Sequence, residues 1–326
     1  MTQSDWLGRK AGFEAIDRLG RSGTPFLFIL SYDKKKIFAR AIEKLPPDIR
    51  FKCGRIRNDL PQKRRVSHHL SAEPISFKSY TQALVKVQEE IRAGNTYLLN
   101  LTFRTPIETD LDLEEIFHAA RAKYKLFFRN QFICFSPERF VEIRGNTISA
   151  FPMKGTIEAS LPNAERIILS NPKEMAEHVM IVDLMRNDLS IVAKNVYVKD
   201  FRYVDRIWAG DKELLQVSSR INGTLSSDWH DHIGGILDKL TPAGSITGTP
   251  KRSTTEIIHR IEGYDRGFYT GVFGIFDGHS LHSAVMIRFI ERKGTQLFYK
   301  SGGGITLDSD AQSEYEELLD KIYLPF

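Results

Sequence analysis

From Asn95 onward the chain reads as a succession of short extended segments: TYLLNLTFR, KLFFR, QFICF and RFVEIR, the last joined to TISAF by Gly145-Asn146 alone. A two-residue glycine-containing connection between alternating runs specifies an antiparallel hairpin, because parallel strands need a crossover of a dozen or more residues. Extended segments return late in the chain at GVFGIFD, SAVMIRFIER and QLFYK. Helical spacing falls between and around them. Residues 79–93 form an amphipathic pattern ending at Gly94, and residues 174–193 form another with Pro172 just ahead of it, followed by a strand-like alternation over 195–202. Thr249 is placed to cap a helix that has Pro250 at its first position and ends at Gly263, and Ser309 with Gln312 three residues on has capping-box spacing before a final helix. Helices and strands alternate too irregularly for a doubly wound parallel sheet. The pattern predicts an α+β fold in which large, mainly antiparallel β-sheets form a sandwich with helices packed outside.

A chain of 326 residues with 41% hydrophobic and 27% charged residues can bury a large core. The one soft boundary is the polar, basic stretch 58–74, which divides a short N-terminal region, 1–74, expected to be part of the same fold, from a main domain, 75–326. Residues 1–80 carry 17 Lys and Arg against 8 Asp and Glu, so the net charge of +5 is concentrated there, including Lys34-Lys35-Lys36 and Lys63-Arg64-Arg65. Such runs serve as partner contacts or as solvated loops. No aromatic interleaving or zinc-ligand spacing accompanies them, so a nucleic-acid partner is not expected. Two cysteines, Cys53 and Cys134, and a start without an apolar core point to a reducing cytosol. No apolar run approaches the ~20 residues that span a bilayer, so no membrane association is expected.

Chemistry concentrates in a few places. Phe151-Pro152-Met153-Lys154-Gly155-Thr156 sets one lysine between a proline and a glycine at the end of a strand. Two helical segments each carry glutamates three apart, Glu174 with Glu177 and Glu314 with Glu317, and Lys321 follows Glu314 by seven residues on the same face. Facing helices of this kind would suit a hard divalent cation such as magnesium, which takes one or two carboxylates plus substrate oxygens and water. Acidic pairs near helix N-termini also favour the helix dipole with no ligand at all. The run Gly302, Gly303, Gly304 precedes the last helix and is either a carboxylate-receiving row of amides or a tight turn or bulge. Arg288, mid-strand among apolar residues in MIRF, would bind a substrate carboxylate bidentately if it faces inward. The lysine and glycine spacing of GSITGTPKRS is wrong for a phosphate loop, which argues against nucleotide binding.

Taken in order, FPMKGT, EHVMIVDLMRNDL, TPAGSITGTPK, RGFYTGVFGIF, AVMIRF, SGGGITLDSD and SEYEELLDK resemble the chorismate-utilising enzymes, and among them the aminodeoxychorismate synthases, component I of para-aminobenzoate synthase. The likeness runs from about residue 74 to the C-terminus and makes 75–326 a chorismate-binding catalytic domain. Sister anthranilate, isochorismate and salicylate synthases usually carry alanine where Lys154 stands. The resemblance implies that Lys154 attacks the chorismate ring at C2 while the C4 hydroxyl leaves, protonated by Glu138 of SPERF, after which ammonia displaces the lysine at C4. It requires a neutral amine, hence a lowered Lys154 pKa. It further implies Glu177 and Glu317 as direct magnesium ligands with Glu174 and Glu314 behind them. Arg288 and Tyr269 would bind the enolpyruvyl carboxylate, and Thr156, Gln216, Thr247, the amides of Gly302 to Gly304 and Lys321 would complete the pocket.

Two departures stand out. Gln216-Val217-Ser218-Ser219 replaces the His-Leu-Val-Ser of many relatives, and glutamine cannot shuttle a proton near neutral pH. The N-terminal region is shorter than in many relatives, where it helps build a tryptophan site. Neither cysteine lies in a glutaminase-like elbow, which implies a separate glutamine amidotransferase subunit as the source of ammonia.

Overall fold

The computed structural model describes residues 5–59, 68–209 and 212–326; the basic triplet Lys63-Arg64-Arg65 lies outside the described residues. Two nine-stranded sheets, antiparallel throughout their pairings, form the centre of the molecule. The first runs in the order Met153–Glu158, Lys212–Thr224, Thr147–Ala150, Arg139–Arg144, Ser280–Val285, Val272–Phe276, Phe26–Leu30, Ile37–Ala41, with Lys194–Ala209 also paired to Lys212–Thr224. The second runs Gly248–Thr249, Leu98–Thr109, Gln296–Ile305, Phe289–Lys293, Phe132–Ser136, Tyr124–Phe128, Ile49–Cys53, Ile56–Arg57, with Leu70–Ala72 against Leu98–Thr109. The hairpin read from Gly145-Asn146 is present: Thr147 pairs with Arg144, and Gly145 has the positive φ of 54° that such a turn demands.

Side-chain alternation builds the layers. Leu27 and Ile29 point into an inter-sheet core with Phe51, Leu126, Phe128, Cys134, Phe273 and Phe289. Phe26, Phe28 and Leu30, one residue out of step, face an outer layer containing Phe13, Trp229, Ile233, Leu237 and the apolar side of the helix Pro172–Ser190. The second sheet is covered on its outer side by Leu113, Ile116 and Phe117 of the helix Leu113–Ala119. Near Leu99 and Ile305 it is covered by the helices Phe77–Arg92, Lys251–Glu262 and Ala311–Asp320. The result is the expected α+β sandwich of antiparallel sheets with helices outside. The strands Phe26–Leu30 and Ile37–Ala41 belong to the first sheet and Ile49–Cys53 to the second.

Several local expectations are corrected. The helix Phe77–Arg92 starts two residues early because Ser76, not a later residue, accepts the Ser79 amide. Thr249 is not a cap: it lies in a two-residue strand opposite Leu98, and its carbonyl accepts from the Tyr97 amide and the Thr96 hydroxyl. Asp310 rather than Ser309 caps the last helix, Ala311–Asp320, which frees the Ser309 hydroxyl to donate to Glu314 Oε1 at 2.8 Å. SAVMIRFIER is not one strand. It breaks into Ser280–Val285 of the first sheet and Phe289–Lys293 of the second, and Arg288 takes the positive φ of 50° at the crossover. Gly302, Gly303 and Gly304 form no turn, because they lie inside the strand Gln296–Ile305 opposite Thr102, Leu101 and Asn100.

Candidate active site

A cavity of about 600 Å³ is lined by residues of both the helix Pro172–Ser190 and the helix Ala311–Asp320. Its walls include Glu138, Lys154, Thr156, Glu174, Glu177, Gln216, Tyr269, Arg288, Gly302, Gly303, Gly304, Glu317 and Lys321. Of the residues singled out from sequence, Thr247 and Glu314 are the two that do not line it. Thr247 is wholly buried behind Ile246 and Gly248, with its hydroxyl beside the buried Tyr32 side chain. A second cavity of about 580 Å³ adjoins the first through Leu98 and Met180, and neither Lys154, Glu138 nor either glutamate pair lines it.

Lys154 sits on an irregular strand. The ladder pairs Met153 with Ser218 and Thr156 with Gln216, so one extra residue is accommodated between them, and Gly155 takes a φ of 93°. A Cβ on Gly155 would lie 2.8 Å from Glu174 Oε2, so a side chain there would displace that carboxylate and strain a backbone at positive φ. The Lys154 ammonium contacts Glu177 Oε2 at 2.6 Å. Burial works to lower its pKa, but Glu177, with Glu317 and Glu174 beyond, outweighs burial and holds it above the ordinary lysine value. The lowered pKa expected for a nucleophile is therefore absent from this state, because the same carboxylates that furnish an acidic site stabilise the ammonium.

Across the cavity, Glu138 is raised above the usual carboxylate range by burial, an effect moderated by the Ser245 hydroxyl and by Arg288 and Lys321. Ser245 Oγ donates to Glu138 Oε1 at 2.7 Å. A carboxyl so placed keeps its proton to higher pH than one in water, the property a general acid needs. Arg288 projects from the crossover with its Nε donating to the Tyr323 hydroxyl at 3.3 Å. That leaves its terminal nitrogens, at the cavity wall, for an incoming carboxylate. Burial tends to lower the Arg288 pKa, but the surrounding Tyr323, Tyr299 and Tyr269 leave it raised, so the guanidinium is a fixed positive charge.

The glutamates meet from opposite sides. Asn171 caps the helix Pro172–Ser190 by accepting the Lys173 and Glu174 amides, which aims Glu174 and Glu177 at the cavity from its first turns. Lys321 Nζ, just past the end of the other helix, contacts Glu317 Oε1 at 2.6 Å and donates to the Gly302 carbonyl at 2.7 Å. Within the strand Gln296–Ile305 only residues 296–300 pair with Phe289–Lys293, so the glycine-bearing stretch 301–305 keeps Leu98–Thr109 on one edge and presents the other to the cavity. Gly303 brings the strand close to the carboxylates: a Cβ there would stand 3.3 Å from Glu314 Oε2 and 3.9 Å from Glu317 Oε1. Glu174 Oε2 is buried without a hydrogen-bond partner, and burial raises the pKa of Glu174 and of Glu314. Among the described residues no three acidic, histidine or cysteine side chains are already gathered into a metal cage, because Lys154 and Lys321 occupy Glu177 and Glu317. The all-oxygen donor set, one member of it unsatisfied, is of the type that holds a hard divalent cation alongside substrate oxygens.

Sequence reasoning passed over four residues that the site uses. Ser245 lies within TPAGSITGTPK, Tyr323 two residues beyond Lys321, and His178 beside Glu177, whereas Ser219 was noted only as part of QVSS. Ser245, Tyr323 and His178 each hydrogen-bond to a wall residue, and Ser219 acts one step behind by bonding to His178. Ser245 and Tyr323 bond to residues more than thirty positions away, and His178 and Ser219 bond to one another forty-one positions apart, so no local spacing signals them.

The chain matches the model of a family described as chorismate binding enzyme over residues 32–325. It is 49% identical over 313 residues to an uncharacterized PabA-like protein of Haemophilus influenzae, covering 96% of this chain and 95% of that one. It is 33% identical over 267 residues to aminodeoxychorismate synthase component 1 of Bacillus subtilis, a match that takes in 77% of this chain but only 56% of the relative. The chain thus spans little more than half of that longer protein. In fold it is similar to the menaquinone-specific isochorismate synthase of Escherichia coli, with a TM-score of 0.70 at 15% identity over 94% of this chain and 79% of that one. No helix among the described residues is long and apolar enough to cross a membrane.

Proposed function

The chain belongs to the chorismate binding enzymes, and from that premise we propose that it is an aminodeoxychorismate synthase, replacing the C4 hydroxyl of chorismate with ammonia to give 4-amino-4-deoxychorismate and water. The observation that carries this reading is the convergence of Lys154 and Glu138 on the walls of one cavity. The amine is of the kind that attacks a polarised ring, and the buried carboxyl keeps a proton for a poor leaving group.

In this mechanism Arg288, with Tyr269 beside it, holds the enolpyruvyl carboxylate, and the open edge of residues 302–304 with Lys321 borders the ring. With the Lys154 ammonium proton first passed to solvent, Glu138 delivers its own proton to the C4 oxygen as the neutral Lys154 nitrogen bonds to C2 and the ring double bonds shift, so that water departs from C4. Ammonia then bonds to C4, the double bonds return and the lysine nitrogen is released from C2. Glu174, Glu177, Glu314 and Glu317 fit Mg²⁺, with Glu177 and Glu317 as direct ligands. When bound, the cation would supply positive charge for the ring carboxylate. The retained enolpyruvyl group accords with Gln216, which offers no titrating proton for an elimination. A separate glutamine amidotransferase is the proposed source of ammonia in the cell, and the product suits para-aminobenzoate and folate synthesis.

The test is mass-spectrometric product analysis of the purified protein with chorismate, magnesium and an ammonium salt at mildly alkaline pH. Wild type is expected to form aminodeoxychorismate. Lys154→Ala is expected to lose at least about a hundredfold in rate, and omission of magnesium to abolish turnover. Anthranilate or isochorismate as product would instead place the chain with the sister activities.

A further inference from the structure

The bulge that carries Lys154 lacks the regular ladder of its neighbours, and its carbonyls are taken up by side chains. Gln216, 8% exposed on the partner strand Lys212–Thr224, does the most. Its Nε2 donates to the Gly155 carbonyl at 2.8 Å, its Oε1 accepts from Thr156 Oγ1 at 2.8 Å, and the same Nε2 reaches the Val217 carbonyl at 3.3 Å. On the other flank, His178 Nδ1 lies 3.4 Å from the Lys154 carbonyl, while its Nε2 is 2.7 Å from Ser219 Oγ. Ser219 Oγ in turn accepts the Arg202 amide at 2.9 Å.

We infer that Gln216 is a positioning residue rather than a substrate contact: its amide grips the Gly155-Thr156 half of the bulge and thereby fixes where the Lys154 amine points. The amide's donors and its acceptor are already bonded to the protein, so little hydrogen-bonding capacity remains for a ligand. An amide also keeps its donor and acceptor ends at every pH in the working range, which a protonated imidazole does not. Without this grip, Gly155, at a φ of 93° and with no Cβ, has freedom to relax the bulge. A displacement of the amine by ~1 Å is enough to cost ~10²-fold in rate.

The inference rests on the proposed amination for its kinetic arm alone. Gln216→Met, of similar length but without the amide, is compared with wild type and with Gln216→His, which restores one donor and one acceptor. The expected result with chorismate, magnesium and ammonium is a fall in kcat of ~10–100-fold in Gln216→Met with KM for chorismate within about threefold, partly recovered in Gln216→His. A rise in KM at unchanged kcat would make Gln216 a substrate contact and overturn the inference.

The second arm needs no substrate. Reductive methylation of the folded proteins, quantified on the Lys154 peptide against distant lysines, is expected to run several-fold faster in Gln216→Met, as the amine leaves Glu177. An unchanged Lys154 labelling rate in a variant with wild-type thermal midpoint would overturn the inference. Should Gln216→Met fail to fold, Gln216→Asn, one methylene too short to bridge Gly155 and Thr156, carries the same expectations. Absence of any chorismate turnover in wild type would sink the amination reading, and the labelling arm would then decide the positioning role.

Discussion

Burial of Glu138 favours its protonated form over the opposing pull of Ser245, Arg288 and Lys321, and this produces a trade between stability and activity. Because its folded pKa lies above the unfolded value, the native state binds the extra proton. Stability falls as pH rises from the unfolded carboxylate pKa, ~4.3, through the folded one, and the loss persists above both. Glu138→Gln keeps an acceptor for Ser245 and removes the titration. Its thermal midpoint is expected to exceed that of wild type at pH 8, with the gap closing below pH 4, as calorimetry at both pH values would measure. Its turnover is expected to fall ~10²–10⁴-fold, the usual contribution of a general acid. At this scale the sequence was informative about identity and poor about state. The resemblance named Lys154 as the nucleophile and required a lowered pKa, but the opposite shift depends on Glu177, Glu174 and Glu317 standing near it in space. Nothing in the order of residues reveals which carboxylate contacts which amine.

At the level of elements, the strand Gln296–Ile305 holds two contrasting glycines. A Cβ on Gly302 would meet the Leu101 carbonyl at 2.4 Å, a backbone atom that can move only with the strand, whereas one on Gly303 meets the flexible end of Glu314 at 3.3 Å. Gly302→Ala is therefore expected to cost ~1–3 kcal/mol in denaturant unfolding. Gly303→Ala is expected to be nearly neutral in unfolding while raising the magnesium concentration needed for half-maximal turnover.

The same strand buries Lys300, whose ammonium lies 2.9 Å from Glu291 and donates to the Arg266 carbonyl. Burial pushes its pKa down to about 8. The unfolded chain thus binds the extra proton between about 8 and the unfolded lysine pKa of ~10.4, and stability gains a contribution as pH rises through that window. Lys300→Met is expected to lack that gain and to lose ~1–3 kcal/mol at pH 7, since Glu291 keeps only Lys293, 3.2 Å away, with Glu291→Leu recovering most of it. Thermal melts from pH 7 to 10.5 on both variants would measure this. The helices and hairpin were legible because glycines and apolar spacing are local, although the caps expected at Thr249 and Ser309 fall on other residues. The crossover at Arg288 was not, because apolar residues continue without a break while the chain changes sheet.

The whole molecule is interlocked. Phe26, Leu27, Phe28, Ile29 and Leu30 are each 0% exposed, hydrogen-bonded between Val272–Phe276 and Ile37–Ala41, so the N-terminal region supplies an interior strand of the first sheet. Removal of residues 1–74 is expected to leave a chain with no cooperative thermal transition, as circular dichroism would record. A binding experiment with such a fragment would report unfolding rather than a lost contact. Composition and strand count made an antiparallel sandwich readable, but not its strand order, since Leu99 meets Ile305 and Phe26 meets Phe276 across most of the chain.

That interlacing sets a timetable for the molecule's own synthesis. Leu98–Thr109 leaves the ribosome long before Gln296–Ile305, which fills the slot beside it, and Tyr323 and Lys321 emerge later still. A nascent chain must keep that early edge from pairing with other strands while nearly two hundred residues are translated, and it has no enclosed cavity for a metabolite until the late residues arrive. Over that interval, pairing of the waiting edge with other strands is expected to compete with folding.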